Sequence, residues 1–121
     1  MLDQLQQRKI YQNVYCSRVG GGHRVEAVPD KHYDVATICG GFAQAHLPVD
    51  SLREVARMLK PGGLFLNVMT EYYLESIEAL HELEPLMKNM EEEGVWKQLA
   101  RQSFPNNIGG KPGVLHVFRK N

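Results

Sequence analysis

The sequence predicts a single α/β domain built around a partly parallel sheet, and three features of its middle portion predict it. The segments 33–39, YDVATIC, and 64–69, LFLNVM, are almost continuously apolar and are bounded by turn residues. Such runs are typical of strands that are buried on both faces of a parallel sheet. The third feature is an amphipathic helix between them, which completes a βαβ unit whose crossover we expect to be right-handed.

Length and charge exclude several classes of protein. The 121 residues suffice for one small domain, 1–121, and 43% of them are hydrophobic, which supports a folded core. Acidic and basic residues balance at 14 each, so the chain has no nucleic-acid signature. No apolar run approaches the ~20 residues of a membrane span, and no signal-peptide core is present. Two cysteines, read as reduced thiols, predict a cytoplasmic or nuclear protein.

Residues 1–32 contain three segments. Residues 1–9 predict the end of a helix, because Leu2 and Leu5 share a face, and no N-cap residue precedes them. Residues 13–16, NVYC, predict a short buried strand. Residues 17–32 are rich in glycine and predict a loop.

The helix of the βαβ unit has the clearest sequence signals. Ser51 and Glu54 form the S-x-x-E pattern of a capping box, although Asp50 is an alternative N-cap residue. The apolar stripe of this helix recurs at i, i+3, i+4 and i+7 and consists of Leu52, Val55, Ala56 and Leu59. Residues 61–63, Pro-Gly-Gly, are expected to end the helix.

A long helical segment follows the second strand. Residues 72–93 show helical spacing of apolar residues, and Pro85 is expected to kink or split the helix. Gly94 is expected to end it. The core-facing side chains are expected to be Leu74, Ile77, Leu80, Leu83, Met87 and Met90.

The last part of the chain predicts a hairpin. Residues 95–104 fit either a helix or a strand, and the strand is favoured, at least for the second half of the segment. Residues 114–120 alternate as a strand, with Val114, His116 and Phe118 on one face. The turn-rich segment between them predicts that the two strands pair antiparallel at an edge of the sheet.

Ligands of open α/β sheets bind beyond the carboxyl ends of the strands, and a glycine pair stands at one such end. Gly40 and Gly41 directly follow the strand 33–39. Two glycines there let a flat ligand approach the backbone closely, but a tight turn alone would also require them. The sequence leaves both interpretations open.

The other candidate residues favour structural roles. Cys39 and His46 invite comparison with a catalytic Cys/His pair, but a buried cysteine and a solvated histidine are favoured. The five histidines and two cysteines show no zinc-ligand spacing, so no metal site is predicted. Trp96 fits either a core anchor or the wall of an acceptor pocket.

A longer motif resembles a known family. The residues YDVATICGGFAQAHLP, followed by SLREVARMLKPGGLFL, resemble the second half of a class I S-adenosylmethionine-dependent methyltransferase. In that family (F/Y)D opens the fourth strand, and an L.E..R.LKPGG helix leads to the fifth strand. More narrowly, MLDQLQQRKIYQNVYC and GGFAQAHLP resemble the methyltransferase-like group of the Williams–Beuren region.

The resemblance implies a partial Rossmann-like methyltransferase sheet, that is, the C-terminal portion of a single, incomplete domain. The family's strand order is 3-2-1-4-5-7-6, in which 13–16, 33–39 and 64–69 would be strands three, four and five. The hairpin would supply strands six and seven. Strands one and two, and the glycine-rich motif after strand one, have no counterpart in the chain.

The resemblance also implies the site. Ser17 and Arg18 match the loop near the adenine of the cofactor, S-adenosylmethionine, and residues 39–42 (Cys39, Gly40, Gly41 and Phe42) match the loop beside the transferred methyl group. His46 lies close enough in sequence to this loop to contact the acceptor, and the catalytic residues are unknown. Without the glycine-rich motif, we expect weak or absent cofactor binding by this chain alone.

Three hypotheses about function follow. The first is methyl transfer to an unknown acceptor, carried out by the complete domain. The second is a non-catalytic, methyltransferase-like fragment that acts through self-association or a partner, because the open edge of an apolar strand invites dimerisation or aggregation. The third is an α/β module that binds another nucleotide.

Overall fold

The computed structural model describes residues 19–20, 24–43 and 47–121, apart from the side chain of residue 108. The predicted helix 1–9 and strand 13–16 therefore lie outside the described residues. The strands are β1 (Tyr33–Cys39), β2 (Leu59–Thr70), β3 (Trp96–Phe104) and β4 (Gly113–Lys120). The helices are α1 (Ser51–Met58), α2 (Tyr73–Ser76) and α3 (Leu83–Glu92), with short 3-10 turns at Glu78–Leu80 and Ile108–Gly110.

The four strands form one mixed sheet in the order β1-β2-β4-β3. β1 pairs with β2 in parallel, whereas β4 pairs antiparallel with both β2 and β3. This is the order 4-5-7-6 that the family resemblance implies for the last four strands. The predicted α/β class, the parallel βαβ unit and the C-terminal edge hairpin are confirmed.

The Pro-Gly-Gly segment 61–63 does not end the helix. α1 stops at Met58, and β2 already begins at Leu59, so the predicted helix ends too late and the predicted strand starts too late. The segment is an irregularity within β2, where the register against β1 shifts. A Cβ on Gly63 would stand 3.0 Å from the backbone oxygen of Asp34, so glycine allows the two strands to approach closely here.

The predicted capping box does not form at α1. Asp50 occupies the N-cap position without a capping hydrogen bond from its side chain. The Ser51 hydroxyl instead donates to the backbone oxygen of Val19 at 3.0 Å, and the Glu54 carboxylate accepts from the backbone N–H of Val25. Both side chains are buried, so they satisfy the preceding loop rather than the helix end.

The long predicted helix 72–93 is split, but the break precedes Pro85. α2 ends at Ser76, and Pro85 lies in the first turn of α3, where its missing N–H leaves no intrahelical bond unmade. Gly94 ends α3 as predicted, with φ +83°. The Val95 N–H bonds the Met90 oxygen at 2.9 Å and the Gly94 N–H bonds the Glu91 oxygen at 3.0 Å, which is a Schellman motif.

The core lies between one face of the sheet and the helices α1 and α3. Trp96 is fully buried there, stacks on Phe118 with ring centroids 4.6 Å apart, and donates its indole N–H to the Met87 oxygen at 3.2 Å. This settles the two interpretations of Trp96 in favour of a core anchor. The predicted inward face of β4 is confirmed, because Val114, His116 and Phe118 are all buried.

The opposite face of β1 is open, which corrects the prediction of a strand buried on both faces. Val35 is 52% exposed and Cys39 is exposed, whereas Ala36 and Ile38 pack against the core. Among the described residues β1 has β2 as its only strand neighbour, so its far edge is unpaired within that part of the chain. β1 thus has more apolar side chains than the described residues bury.

Candidate functional site

The candidate site divides into a described and an undescribed part. Cys39, Gly40, Gly41 and Phe42 lie at the carboxyl end of β1, in the described residues. Residues 17–18, the predicted adenine loop, and His46 lie outside the described residues. Their predicted roles therefore stay predictions.

The glycine loop combines one open position with one close contact. Gly40 has φ +71°, and its N–H donates to the Val68 oxygen at 2.9 Å, which extends the pairing of β1 with β2. A Cβ on Gly40 would meet no atom of the described residues within 4 Å. A Cβ on Gly41 would instead stand 2.5 Å from Ile38 Cγ2 and 3.0 Å from Leu47 Cδ1. The tight turn needs Gly41, whereas none of the described residues fills the space beside Gly40.

The residues on either side of this glycine pair have opposite environments. The Cys39 thiol is exposed, because strand alternation turns Ile38 toward the core and Cys39 away from it. The expectation of a buried cysteine is therefore wrong. Phe42 is fully buried in the hydrophobic core. Its side chain anchors the loop, so any contact of residue 42 with a ligand would involve its backbone.

A cavity of about 650 Å³ opens beyond the carboxyl end of β2. Its wall is formed by the turn after β2, α2, the start of α3, β3 and the segment before β4. The polar and aromatic side chains that line it are Glu71, Tyr72, Glu75, Glu84, Arg101 and Lys111. The cavity lies at the same end of the sheet as the glycine loop, namely the carboxyl end of the parallel strands, because Glu71 directly follows the last residue of β2.

A buried polar chain runs from the sheet to this cavity. The Asn67 amide nitrogen lies 3.2 Å from His116 Nδ1, and His116 Nε2 lies 2.9 Å from the Glu84 carboxylate. The neutral imidazole satisfies both contacts when its proton is on Nε2, which donates to Glu84 and leaves Nδ1 to accept from Asn67. Asn67 Oδ1 is buried without a hydrogen-bond partner among the described residues.

Burial and hydrogen bonding set the protonation states of His116 and Glu84. Desolvation is the largest influence on His116 and lowers the pKa of its imidazole, although the Glu84 carboxylate opposes the shift. Desolvation works against ionisation of Glu84, but hydrogen bonds with Arg101 and His116 outweigh it and lower the pKa of the carboxyl group. The arrangement therefore favours a neutral His116 beside an ionised Glu84.

The cavity wall is held by ion pairs. Arg101 contacts the Glu84 carboxylate through two of its nitrogens and lies 3.6 Å from Glu71. The Ser103 hydroxyl donates to Glu71. The pKa of Arg101 is raised, first by its hydrogen bond with Glu84. Two carboxylates and one guanidinium are thus fixed in position on one side of the cavity.

Sequence reasoning missed Asn67, Glu84 and the role of His116. A usable signal existed, because Asn67 interrupts the apolar run LFLNVM and His116 interrupts VLHVF. A polar residue at an inward position of a buried strand requires a hydrogen-bond partner. Among the described residues, no group of three His, Cys, Asp or Glu side chains is arranged to hold a metal ion.

An α/β sheet of order 4-5-7-6 with a glycine loop at the carboxyl end of its parallel strand defines a Rossmann-like, ligand-binding class of domain. A family model described as "Methyltransferase domain" matches residues 1–67, which is more than half of the chain. The chain belongs to this methyltransferase-domain family. No curated protein sequence matched it. The narrower resemblance to the Williams–Beuren-region group stays a prediction.

Solved structures show the same fold at low sequence identity. A SAM-dependent methyltransferase from Aquifex aeolicus has TM-score 0.63 and 14% identity, covering 98% of this chain and 61% of its own. The N-methyltransferase NodS from Bradyrhizobium japonicum WM9 has TM-score 0.56 and 11% identity, with 96% and 65% covered. The [4+2]-cyclase SpnF has TM-score 0.63 and 16% identity, with 98% and 60% covered.

The chain spans about three-fifths of the length of these structures. The family match and the SAM-dependent methyltransferase from Aquifex aeolicus support the prediction of S-adenosylmethionine as the cofactor of the family. The presence of a cyclase among the neighbours shows that this fold is not restricted to one reaction.

Among the described residues, each helix is too short or too polar to cross a membrane.

Proposed function

We propose that the chain is the C-terminal portion of the catalytic domain of an S-adenosylmethionine-dependent methyltransferase. The observation that carries the proposal is the glycine loop at the carboxyl end of β1, in a chain whose first 67 residues match the methyltransferase family. The strand order β1-β2-β4-β3 supports it, because it equals the family's order 4-5-7-6. The acceptor is unknown.

The described part of the loop fits one wall of a cofactor pocket. None of the described residues crowds Gly40, and Cys39 is exposed beside it, which supports access of a flat ligand to the backbone there. Phe42 and Gly41 fix the loop through the core. We propose that Ser17 and Arg18 contact the adenine of the cofactor. They complete the set of residues that we propose to bind it.

The cofactor supplies a methyl group on a positively charged sulfur, and the protein supplies position. Holding two reactants in line contributes up to ~7–11 kcal/mol in model systems, provided that the pocket is rigid. In this chain the pairing of Gly40 with Val68 and the buried Phe42 provide rigidity on one side. His46 is the proposed contact of the acceptor with the loop. The missing glycine-rich motif leads us to expect weak cofactor binding by the 121 residues alone.

The second candidate function is association without catalysis. It is favoured by β1, which offers an unpaired edge among the described residues and exposes 52% of Val35. Such an edge pairs readily with a strand of another chain. A second copy or a partner that supplies strands would also complete the cofactor pocket. We propose a cytoplasmic or nuclear location for either function.

Calorimetric titration of S-adenosylhomocysteine tests the first proposal. It should be carried out on the 121-residue chain and on a fusion that carries strands one and two of a methyltransferase relative upstream. We expect binding by the fusion and weak or no binding by the chain alone. Absence of binding to both proteins would favour the non-catalytic function.

A matched pair of variants locates the binding. Gly40→Ala and Gly62→Ala place the same methyl group at similar backbone angles, φ +71° and +84°, and neither Cβ meets an atom of the described residues within 4 Å. Their effects on stability should be similar. Only Gly40→Ala should weaken the binding of S-adenosylhomocysteine to the fusion. An equal effect of both variants on this binding would show that the glycine loop is not part of the cofactor site.

A further inference from the structure

Tyr72 presents an exposed aromatic face to the cavity beyond β2. Its side chain is 53% exposed, although it stands at the edge of a cavity of about 650 Å³. The ammonium group of Lys111 lies over the ring, 5.0 Å from its centroid. The face of a tyrosine ring attracts cations through its negative electrostatic potential. The chain therefore already places a cation of its own on this surface.

The carboxylates of the cavity outnumber its cations. Glu71, Glu75 and Glu84 face Arg101 and Lys111, so the lining carries one more negative than positive charge. His116 behind Glu84 adds no charge, because burial lowers the pKa of its imidazole. An organic cation would be attracted to this cavity, and its apolar groups would find the Tyr72 ring.

The two basic residues do not make a comparable anion site. Arg101 already contacts Glu84 through two nitrogens and approaches Glu71 at 3.6 Å, so its donors are directed at carboxylates. The ammonium group of Lys111 lies over the Tyr72 ring, 5.0 Å from the centroid. A ligand cation would compete with Lys111 for the ring, whereas an anion would have to approach three carboxylates.

We propose that this cavity binds a small organic cation, such as a protonated amine, on the Tyr72 ring, with Glu71 and Glu75 as its charge partners and Lys111 as the group that it displaces. The cavity lies close to the glycine loop, because Glu71 is three residues beyond Val68, which bonds Gly40, or roughly 10 Å along a strand. The closeness to the glycine loop would suit this cation as the methyl acceptor; that further role rests on the proposed function, whereas cation binding itself does not.

Titration with tetramethylammonium chloride tests the proposal without cofactor or turnover. Two-dimensional NMR of the 121-residue chain should show saturable shifts at Tyr72, Glu71 and Glu75. Sodium acetate at the same ionic strength should leave these resonances unchanged. Because the measurement needs no S-adenosylmethionine, its failure is distinguishable from failure of the methyltransferase function.

Three exposed-site variants make the test specific. Tyr72→Leu removes the ring face and should weaken binding about fivefold, whereas Tyr72→Phe keeps the face and should bind as the parent does. Lys111→Met removes the competing cation and should strengthen binding. Saturation by acetate instead of tetramethylammonium would overturn the proposal, as would equal binding by Tyr72→Leu and the parent chain.

Discussion

Replacing His116 by leucine should destabilise the domain more than replacing His116 and Asn67 together. His116 is fully buried, and its Nδ1 accepts from the Asn67 amide at 3.2 Å. Asn67 Oδ1 already lacks a partner among the described residues, so His116→Leu would leave both polar atoms of the amide unpaired. A buried polar group without a partner costs ~1–3 kcal/mol, and we expect a loss of about 2 kcal/mol in the free energy of unfolding.

The double variant Asn67→Leu/His116→Leu removes both partners and the unpaired oxygen at once. Replacing a buried polar pair by apolar side chains of similar size is often close to neutral, so most of the loss should be recovered. Glu84 keeps its two contacts with Arg101 in every variant. The coupling between the two sites should therefore be about 1–3 kcal/mol and should favour the double variant.

Urea denaturation at pH 7.5 measures these differences, and the single tryptophan of the chain, Trp96, reports unfolding from within the core. Equal slopes in denaturant are required for comparing the variants. Gln102→Leu, at an exposed position of β3, controls for the effect of an added leucine. If the double variant lost as much stability as the single variants His116→Leu and Asn67→Leu combined, the account of Asn67 as a residue that depends on His116 would be refuted.

Three further predictions concern pH, a helix end and the open edge. The folded state holds the pKa of His116 below 6.5, so the contribution of His116 to stability is present above pH 6.5 and is lost as the pH falls through the lower, folded pKa. The urea midpoints at pH 7.5 and 5.5 should therefore differ less in the double leucine variant than in the parent chain. Gly94→Ala places a side chain at φ +83° and should lower the free energy of unfolding by ~1–2 kcal/mol, which thermal unfolding measures. Gly109→Ala, at φ +65°, serves as a comparison away from the end of an α-helix. Val35→Lys should reduce self-association in analytical ultracentrifugation without lowering the unfolding midpoint, and unchanged association would place the contact elsewhere.

The βαβ unit and the hairpin could be predicted because their signals are local. The apolar runs 33–39 and 64–69 identify strands, the stripe from Leu52 to Leu59 identifies the helix, and the alternation of Val114, His116 and Phe118 identifies the inward face of β4. The order of the four strands came from the family resemblance, since no local pattern fixes it.

The errors have tertiary causes. Ser51 and Glu54 fit a capping box in sequence, but their side chains bond the backbone of Val19 and Val25 in the preceding loop. The Pro-Gly-Gly segment 61–63 resembles a helix stop, but its glycines serve the close approach of β1 and β2.

The site was only partly predictable. Gly40 and Gly41 could be located because glycine after a buried strand is a distinctive local signal. The cavity could not, because Glu71, Glu84 and Arg101 come from three elements that meet only after β3 and β4 have paired. The exposure of Cys39 depends on which face of β1 the helices cover, which the composition of the strand does not reveal.

The position of β4 has a consequence for how the chain acquires its structure during synthesis. β4 is translated after β3, yet it lies between β2 and β3. While the ribosome is still making residues 71–112, one edge of β2 has no strand to pair with, and Phe65 lacks the aromatic neighbours that finally cover it. We therefore expect the nascent chain to need shielding, and a premature stop codon before residue 113 to yield a product that is degraded rather than a smaller stable domain.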